Sequence, residues 1–200
     1  DAARVDEAVA AANAAQPDWA AASPQLRHDV LEKASNLITS SKDELGRLLS
    51  REEGKTLAEG IGETMRAAQV FKFFAGEAIR NVGDAVASIR PGIDVTVERE
   101  AVGTIGLITP WNFPIAIPAW KLAPALAYGN AVVMKPAELT PGCAWELAKI
   151  LHEAGCPTGV FNLVMGPGST VGARIVEHPG IDAISFTGSV ATGNTIAVQC

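Results

Sequence analysis

The 200-residue sequence is short of cysteine, histidine, aromatic residues and positive charge, and each shortage closes off a class of function. Cys143, Cys156 and Cys200 are odd in number and share no ligand spacing, which argues against a disulfide framework or a zinc site. No metal is expected. His28, His152 and His178 are scattered, without HxxxH spacing, and read as surface or capping residues. Lys and Arg total 16 against 22 Asp and Glu, and a formal net charge of −6 makes nucleic acid or an anionic membrane a poor partner. No apolar run reaches about 18 residues, and DAARVDEAVAAANAAQ is acidic and Ala-rich, so neither a membrane span nor a signal peptide is expected. A cytoplasmic location with reduced thiols follows. Tyr128 is the only tyrosine and has no lysine four residues on, which excludes a reductase using a Tyr–Lys pair.

What is present is an ordinary globular composition, 48% hydrophobic and 19% charged, long enough to bury a sizeable core. Residues 1–84 carry helical signals only. Ser23-Pro24 supplies an N-cap and a first-turn proline, with Leu26, Val30, Ala34, Leu37 and Ile38 on one face. Ser41 to Glu44 and Thr56 to Glu59 are both capping-box patterns. Leu45, Leu48 and Leu49 follow the first until Gly54 ends the helix. The second opens a long helix predicted to turn Ile61, Met65, Ala68 and Phe74 inward. The charge cluster Arg51-Glu52-Glu53-Gly54-Lys55 reads as a solvated helix end.

Over residues 85–101 the period changes to two. Ser88 to Arg90, a Pro91-Gly92 turn and Ile93 to Glu100 predict a hairpin, with Val95 and Val97 on one apolar face. A lone hairpin is marginal in water, so it needs a surface to dock on. Residues 102–200 then repeat strand and helix. Predicted strands are Thr104–Thr109, Ala131–Lys135, Val160–Met165 and Ala183–Thr187, each short and apolar as in a parallel sheet covered on both faces. Gly129-Asn130, Thr140-Pro141 and Gly155 bound the intervening helices. The fold class is α/β: a Rossmann-like, doubly wound parallel sheet with flanking helices, an N-terminal helical part and a protruding hairpin.

In such sheets ligands bind beyond the carboxyl ends of the strands. Four unusual loops fall there. Thr109-Pro110-Trp111-Asn112-Phe113-Pro114 follows the first strand and Lys135-Pro136-Ala137-Glu138 the second. Gly166 to Gly172 and Phe186-Thr187-Gly188-Ser189 follow the third and fourth. Glycine turns feeding helix N-termini let backbone N–H groups approach a phosphate, and two of them in one sheet suit a dinucleotide.

ITPWNFP, KPAE and FTGS, at these spacings, closely resemble the aldehyde dehydrogenase superfamily, and the resemblance runs over essentially the whole chain. It implies NAD as cofactor, with NADP the other nicotinamide cofactor of the family, and a small aldehyde as substrate. The equivalents of Lys135 and Glu138 hold the adenosine ribose, and Ala137 belongs to the same loop. Those of Gly168 and Gly172 line the adenine side. Phe186, Thr187, Gly188 and Ser189 lead to the pyrophosphate, and Ile108, Thr109, Pro110 and Trp111 run along the cofactor. A carboxylate at 138 accepts from vicinal hydroxyls and repels a 2′-phosphate, which independently favours NAD. Asn112 matches the family's oxyanion donor, Lys121 a lysine implicated in proton relay, and Phe113 and Trp120 positions flanking the substrate tunnel.

The resemblance also implies a nucleophilic cysteine and a general-base glutamate downstream of FTGS. None of the three cysteines here fits that role, so the chain reads as the cofactor-binding half of a longer enzyme, inactive alone. The hairpin then belongs to an oligomerisation element of a homodimer or homotetramer. REEGKTLAEGIGE, FKFFAGEAIR and RPGIDVTVERE look most like 2,5-dioxovalerate (α-ketoglutaric semialdehyde) dehydrogenases. Succinate-semialdehyde and betaine-aldehyde dehydrogenases are the alternatives. A non-catalytic nucleotide-binding or assembly module is the reading of another class.

Overall fold

The computed structural model describes all 200 residues. Four helices come first: α1 (Ala2–Ala21), α2 (Pro24–Ser40), α3 (Lys42–Glu53) and α4 (Leu57–Ala78). Their ends follow local chemistry. Ser23 Oγ accepts from the Leu26 N–H at the start of α2, with Pro24 in the first turn. Gly54 closes α3 at φ +90°, a conformation other residues resist. Thr56 and Glu59 form a complete capping box on α4. The matching pattern at Ser41 does not close: Ser41 makes no side-chain cap, because its φ of −95° and ψ of 10° keep the chain turning from α2 directly into α3.

The buried face of α4 also differs from expectation. Gly60, Glu63, Thr64, Ala67, Ala68, Phe71, Ala75 and Ala78 face inward, whereas Ile61, Met65 and Phe74 are only half-buried. The inward stripe is built mostly of small residues, which let helices approach closely but give a weak hydrophobic signal. Of the face expected on α2, Val30, Ala34 and Ile38 are buried, Leu37 is half-buried and Leu26 is exposed.

Two antiparallel strands, β1 (Asp84–Ala87) and β2 (Asp94–Val97), form a hairpin whose strand residues are all exposed. Its loop is longer than a Pro-Gly turn. Pairing of Ala87 with Asp94 leaves Ser88 to Ile93 outside the ladder. Ser88 Oγ accepts from the Arg90 N–H at 3.0 Å, a local turn that competes with strand pairing.

The second sheet has four parallel strands: β3 (Thr104–Ile108), β4 (Ala131–Lys135), β5 (Phe161–Leu163) and β6 (Ala183–Phe186). They are connected through α5 (Ala116–Ala127), α6 (Pro141–Ala154), a turn of π-helix over Gly168–Gly172 and α7 (Ala173–Glu177). Helix α8 (Val190–Gln199) ends the chain. The spatial order β5-β4-β3-β6 is the doubly wound order, which reverses direction between β3 and β6. Alternation along β4 divides the core between two faces. Val132 and Met134 join the large cluster with α2 to α6, while Ala131 and Val133 meet Val5, Val9 and Ala12 of α1 and Ile175 of α7. Strand β5 is shorter than expected, although its ladder bonds reach Val160 and Val164.

Candidate active site: a cofactor cleft and a clamped loop

Bonds between strand ends align three of the four loops. The Thr109 N–H donates to the Lys135 carbonyl at 3.2 Å and the Thr187 N–H to the Ile108 carbonyl at 3.0 Å. The chains leaving β3, β4 and β6 therefore depart at one level, beside the point where strand order reverses. There they enclose a cleft of about 390 Å³ lined by Ile108, Thr109, Pro110, Trp111, Lys135, Ala137, Glu138, Phe186, Thr187, Gly188 and Ser189. An adjoining hollow of about 500 Å³ shares Ile108, Lys135 and Thr192 with it, and adds Gly168, Gly172 and the outer face of α8. All thirteen residues assigned to a cofactor from the sequence thus lie along one continuous concavity.

Its polar groups, an ammonium, a carboxylate and a helix N-terminus, are of kinds that hydroxyl and phosphate groups can pair with. Lys135 is buried, and its Nζ donates to the Pro136 carbonyl at 2.7 Å and the Gly166 carbonyl at 3.4 Å. Burial holds its pKa below the usual lysine value, partly opposed by Glu138. Glu138 is exposed and accepts from the Gly168 N–H at 2.8 Å through one oxygen, which ties the second loop to the third. A Cβ on Gly168 would meet nothing within 4 Å, so the hollow is open at that point. Thr109 Oγ1 is buried without any hydrogen-bond partner, an orphan that a ligand hydroxyl or amide would satisfy. Ser189 caps α8 by accepting from the Thr192 N–H at 3.2 Å, and the remaining first-turn N–H groups have no partner inside the helix.

The other four residues singled out from the sequence lie outside this cleft. Asn112 is exposed one residue beyond Trp111, and its side-chain amide makes no hydrogen bond to the protein. Phe113 lies under the Lys55 ammonium, 3.7 Å from ring centroid to Nζ. Trp120 borders a separate groove of about 480 Å³ between α4 and α5, with Arg66, Gln69, Val70, Phe73 and Phe74. Lys121 donates to Ser185 Oγ at 2.8 Å on β6, and half-burial lowers its pKa.

The cluster read as solvated is the main correction. Glu52 leaves α3 to cap a different helix, accepting from the Gly142 N–H at 2.7 Å and the Cys143 N–H at 3.0 Å at the start of α6. Thr140, at the N-cap position of α6, makes no side-chain cap bond itself. Lys55 lies between Glu53 at 3.1 Å and Glu63 at 2.9 Å, and donates to the Asn112 carbonyl at 2.7 Å. Glu63 in turn accepts from the N–H groups of Ile115 and Ala116 at 3.1 and 3.2 Å. The bonds from Lys55 and Glu63 to the Asn112–Ala116 segment span 52 to 57 positions in sequence, and no local pattern encodes them. At helical period Glu63 falls opposite Ile61 and Met65, on the side expected to be polar, so no local signal marked it.

Two of the three cysteines are poor nucleophiles in this arrangement. Cys143 and Cys156 are buried, and desolvation pushes both thiols up, that of Cys156 to about 12. Cys200 is exposed beyond the far end of α8. No group of three or more His, Cys, Asp or Glu side chains could hold a metal ion. No helix is long and apolar enough to cross a membrane.

Across its whole length, residues 1–200, the chain matches the model of the aldehyde dehydrogenase family, and it belongs to that family. It is 46% identical over 192 residues to an α-ketoglutarate semialdehyde dehydrogenase of Haloferax volcanii, covering 96% of this chain and 40% of that protein. An α-ketoglutaric semialdehyde dehydrogenase of Bacillus subtilis is 43% identical over 192 residues, with 96% and 39% covered. Among solved structures, betaine aldehyde dehydrogenase of Staphylococcus aureus in complex with NAD+ superposes with a TM-score of 0.95 at 34% identity, covering 98% of this chain and 39% of that one. The chain therefore spans about two fifths of the length of the relatives it matches.

Proposed function

We propose that this chain is the cofactor-binding part of an NAD-dependent aldehyde dehydrogenase that oxidises 2,5-dioxopentanoate (α-ketoglutaric semialdehyde) to 2-oxoglutarate. The observation that carries the cofactor reading is the convergence of three loops on one cleft at the strand-order reversal, with Lys135, Glu138 and the α8 N-terminus along it. The residues fit the group: an open glycine at 168, an orphaned threonine hydroxyl at 109 and a carboxylate at 138 with one oxygen unengaged. The substrate rests on the two semialdehyde dehydrogenases at 46% and 43% identity.

In this mechanism NAD supplies the hydride acceptor. Glu138 accepts from the ribose hydroxyls, and Lys135 donates beside it. The first turn of α8 neutralises pyrophosphate charge with backbone N–H groups and its dipole. Asn112 presents its unengaged amide to the oxyanion that forms as a nucleophile adds to the aldehyde carbon, and again as the acyl intermediate is hydrolysed. No cysteine here is placed as that nucleophile, so the cysteine and the general base come from residues beyond the two fifths of the enzyme that this chain represents. Residues 1–84 and 102–200 then form the cofactor domain. The exposed hairpin β1–β2, expected over 85–101, supplies the contact that makes a homodimer or homotetramer.

The test is NADH formation by the full-length enzyme with 2,5-dioxopentanoate, succinate semialdehyde and betaine aldehyde, each with NAD and with NADP. The expected result is the highest kcat/KM for 2,5-dioxopentanoate with NAD. A higher value for betaine aldehyde would move the enzyme to the neighbouring specificity, and no oxidation of any aldehyde would leave a nucleotide-binding module.

A further inference from the structure

We infer that the buried ion cluster Glu53–Lys55–Glu63 is the positioning device for the oxyanion amide of Asn112. The inference rests on the Asn112 reading above and extends it to residues nothing has assigned to the reaction. Asn112 is held through its main chain and left free at its side chain. Its carbonyl accepts from Lys55 Nζ at 2.7 Å, while its amide has no protein partner. The next residue, Phe113, lies against the same ammonium. Two residues further, Glu63 takes the N–H groups of Ile115 and Ala116, the open donors at the start of α5. Both ends of the Asn112–Ala116 segment are therefore gripped by one cluster, drawn from the end of α3, the turn after it and α4.

The cluster is costly to bury, which argues that it is built for this contact. The Glu53 and Glu63 side chains are 6% and 3% exposed and that of Lys55 is 20% exposed. Two carboxylates and one ammonium leave an excess negative charge, and the α5 N-terminus, where Glu63 binds, is the place that offsets it. Burial opposes the charged form of Lys55, but the two carboxylates outweigh it and raise its pKa, so the ammonium persists across the neutral range. An ammonium is a point donor that can serve an ion pair and a carbonyl together, and the Phe113 ring supports it from below.

The experiment is a double-mutant cycle in the full-length enzyme with NAD and 2,5-dioxopentanoate, reading kcat, NAD affinity and thermal stability. Displacing a catalytic group by about 1 Å costs up to roughly a hundredfold, so Lys55→Met should lower kcat on the order of ten- to a hundredfold, with NAD affinity unchanged. Because Lys55 acts through Asn112, the Lys55→Met/Asn112→Ala double variant should fall within about twofold of Asn112→Ala alone. Losses that multiply would show that Lys55 works elsewhere and would overturn the inference, as would an unchanged kcat in Lys55→Met. If Lys55→Met does not fold because two carboxylates are left facing each other, Lys55→Arg keeps the charge but not the point-donor geometry. It should show a smaller loss and the same non-additivity, and additive losses there would equally refute the idea. Asn112→Ala alone separates the two levels: if it leaves kcat intact, the oxyanion reading fails, whereas a steep loss there with no effect at Lys55 sinks only the positioning role.

Discussion

Asn112→Ala is the perturbation that separates structure from chemistry most widely, and so it is the most informative. The Asn112 side chain is exposed and bonds to no protein atom, while its backbone is held by Lys55 through the carbonyl, which alanine retains. Replacing it should therefore change stability by no more than about 0.5 kcal/mol, the range for surface positions without special contacts. It lies outside the cleft proposed for the cofactor, so NAD affinity should also hold. The reaction is different. A neutral amide aimed at a developing oxyanion gives stabilisation realised only in the transition state, and losing one such donor typically costs about 10²–10³ in kcat, or roughly 2.7–4 kcal/mol. The assay is steady-state NADH formation by the full-length enzyme alongside a thermal melt and an NAD titration. A variant that melts much earlier but keeps its kcat per folded molecule would make Asn112 a loop-holding residue and refute the argument.

Further outcomes are expected. Glu138→Ser should narrow the preference for NAD over NADP, since a carboxylate near a 2′-phosphate is repelled by about 1 kcal/mol or a few; competition kinetics with both cofactors would read it, and a wild type preferring NADP would contradict it. Glu52→Ala should destabilise the enzyme by about 1–2 kcal/mol, the combined scale of a lost cap and a lost charge at a helix N-terminus, and a melt unchanged within a degree would show that Glu52 caps nothing of consequence. In the isolated chain at mildly alkaline pH, Cys200 should react with a thiol reagent quickly and Cys143 and Cys156 only on unfolding, because burial holds their thiols protonated; three equally fast thiols would contradict the buried core around α6. The isolated chain should form no NADH from any aldehyde, and turnover abolished by Cys200→Ala would overturn the placement of that thiol.

Sequence periodicity located what depends on neighbours in the chain. The strand Ala131–Lys135, the Thr56–Glu59 box and the stop at Gly54 are each decided within about one helical turn or one strand. What it misjudged depends on partners far away. Ser41 to Glu44 has a capping-box pattern but forms no cap, since the direct passage from α2 into α3 sets its backbone. Glu52 and Lys55 looked solvated because their partners, Gly142 and Asn112, lie 90 and 57 positions on. Likewise the α4 core face was misplaced: alanine, glycine and threonine packing closely carries less pattern than the isoleucine and methionine beside it. The cleft loops were legible because each combines a strand end with residues of unusual chemistry, whereas the clamp beneath Asn112 has no contiguous motif.

The most direct test of the cofactor assignment is a crystal structure of the full-length enzyme with NAD. The account predicts the adenosine ribose between Lys135 and Glu138, with Glu138 accepting from its hydroxyls, and the pyrophosphate at the first turn of α8 beside Ser189. NAD bound away from the Lys135–Glu138 loop, with the cleft at the ends of β3, β4 and β6 left empty, would contradict it.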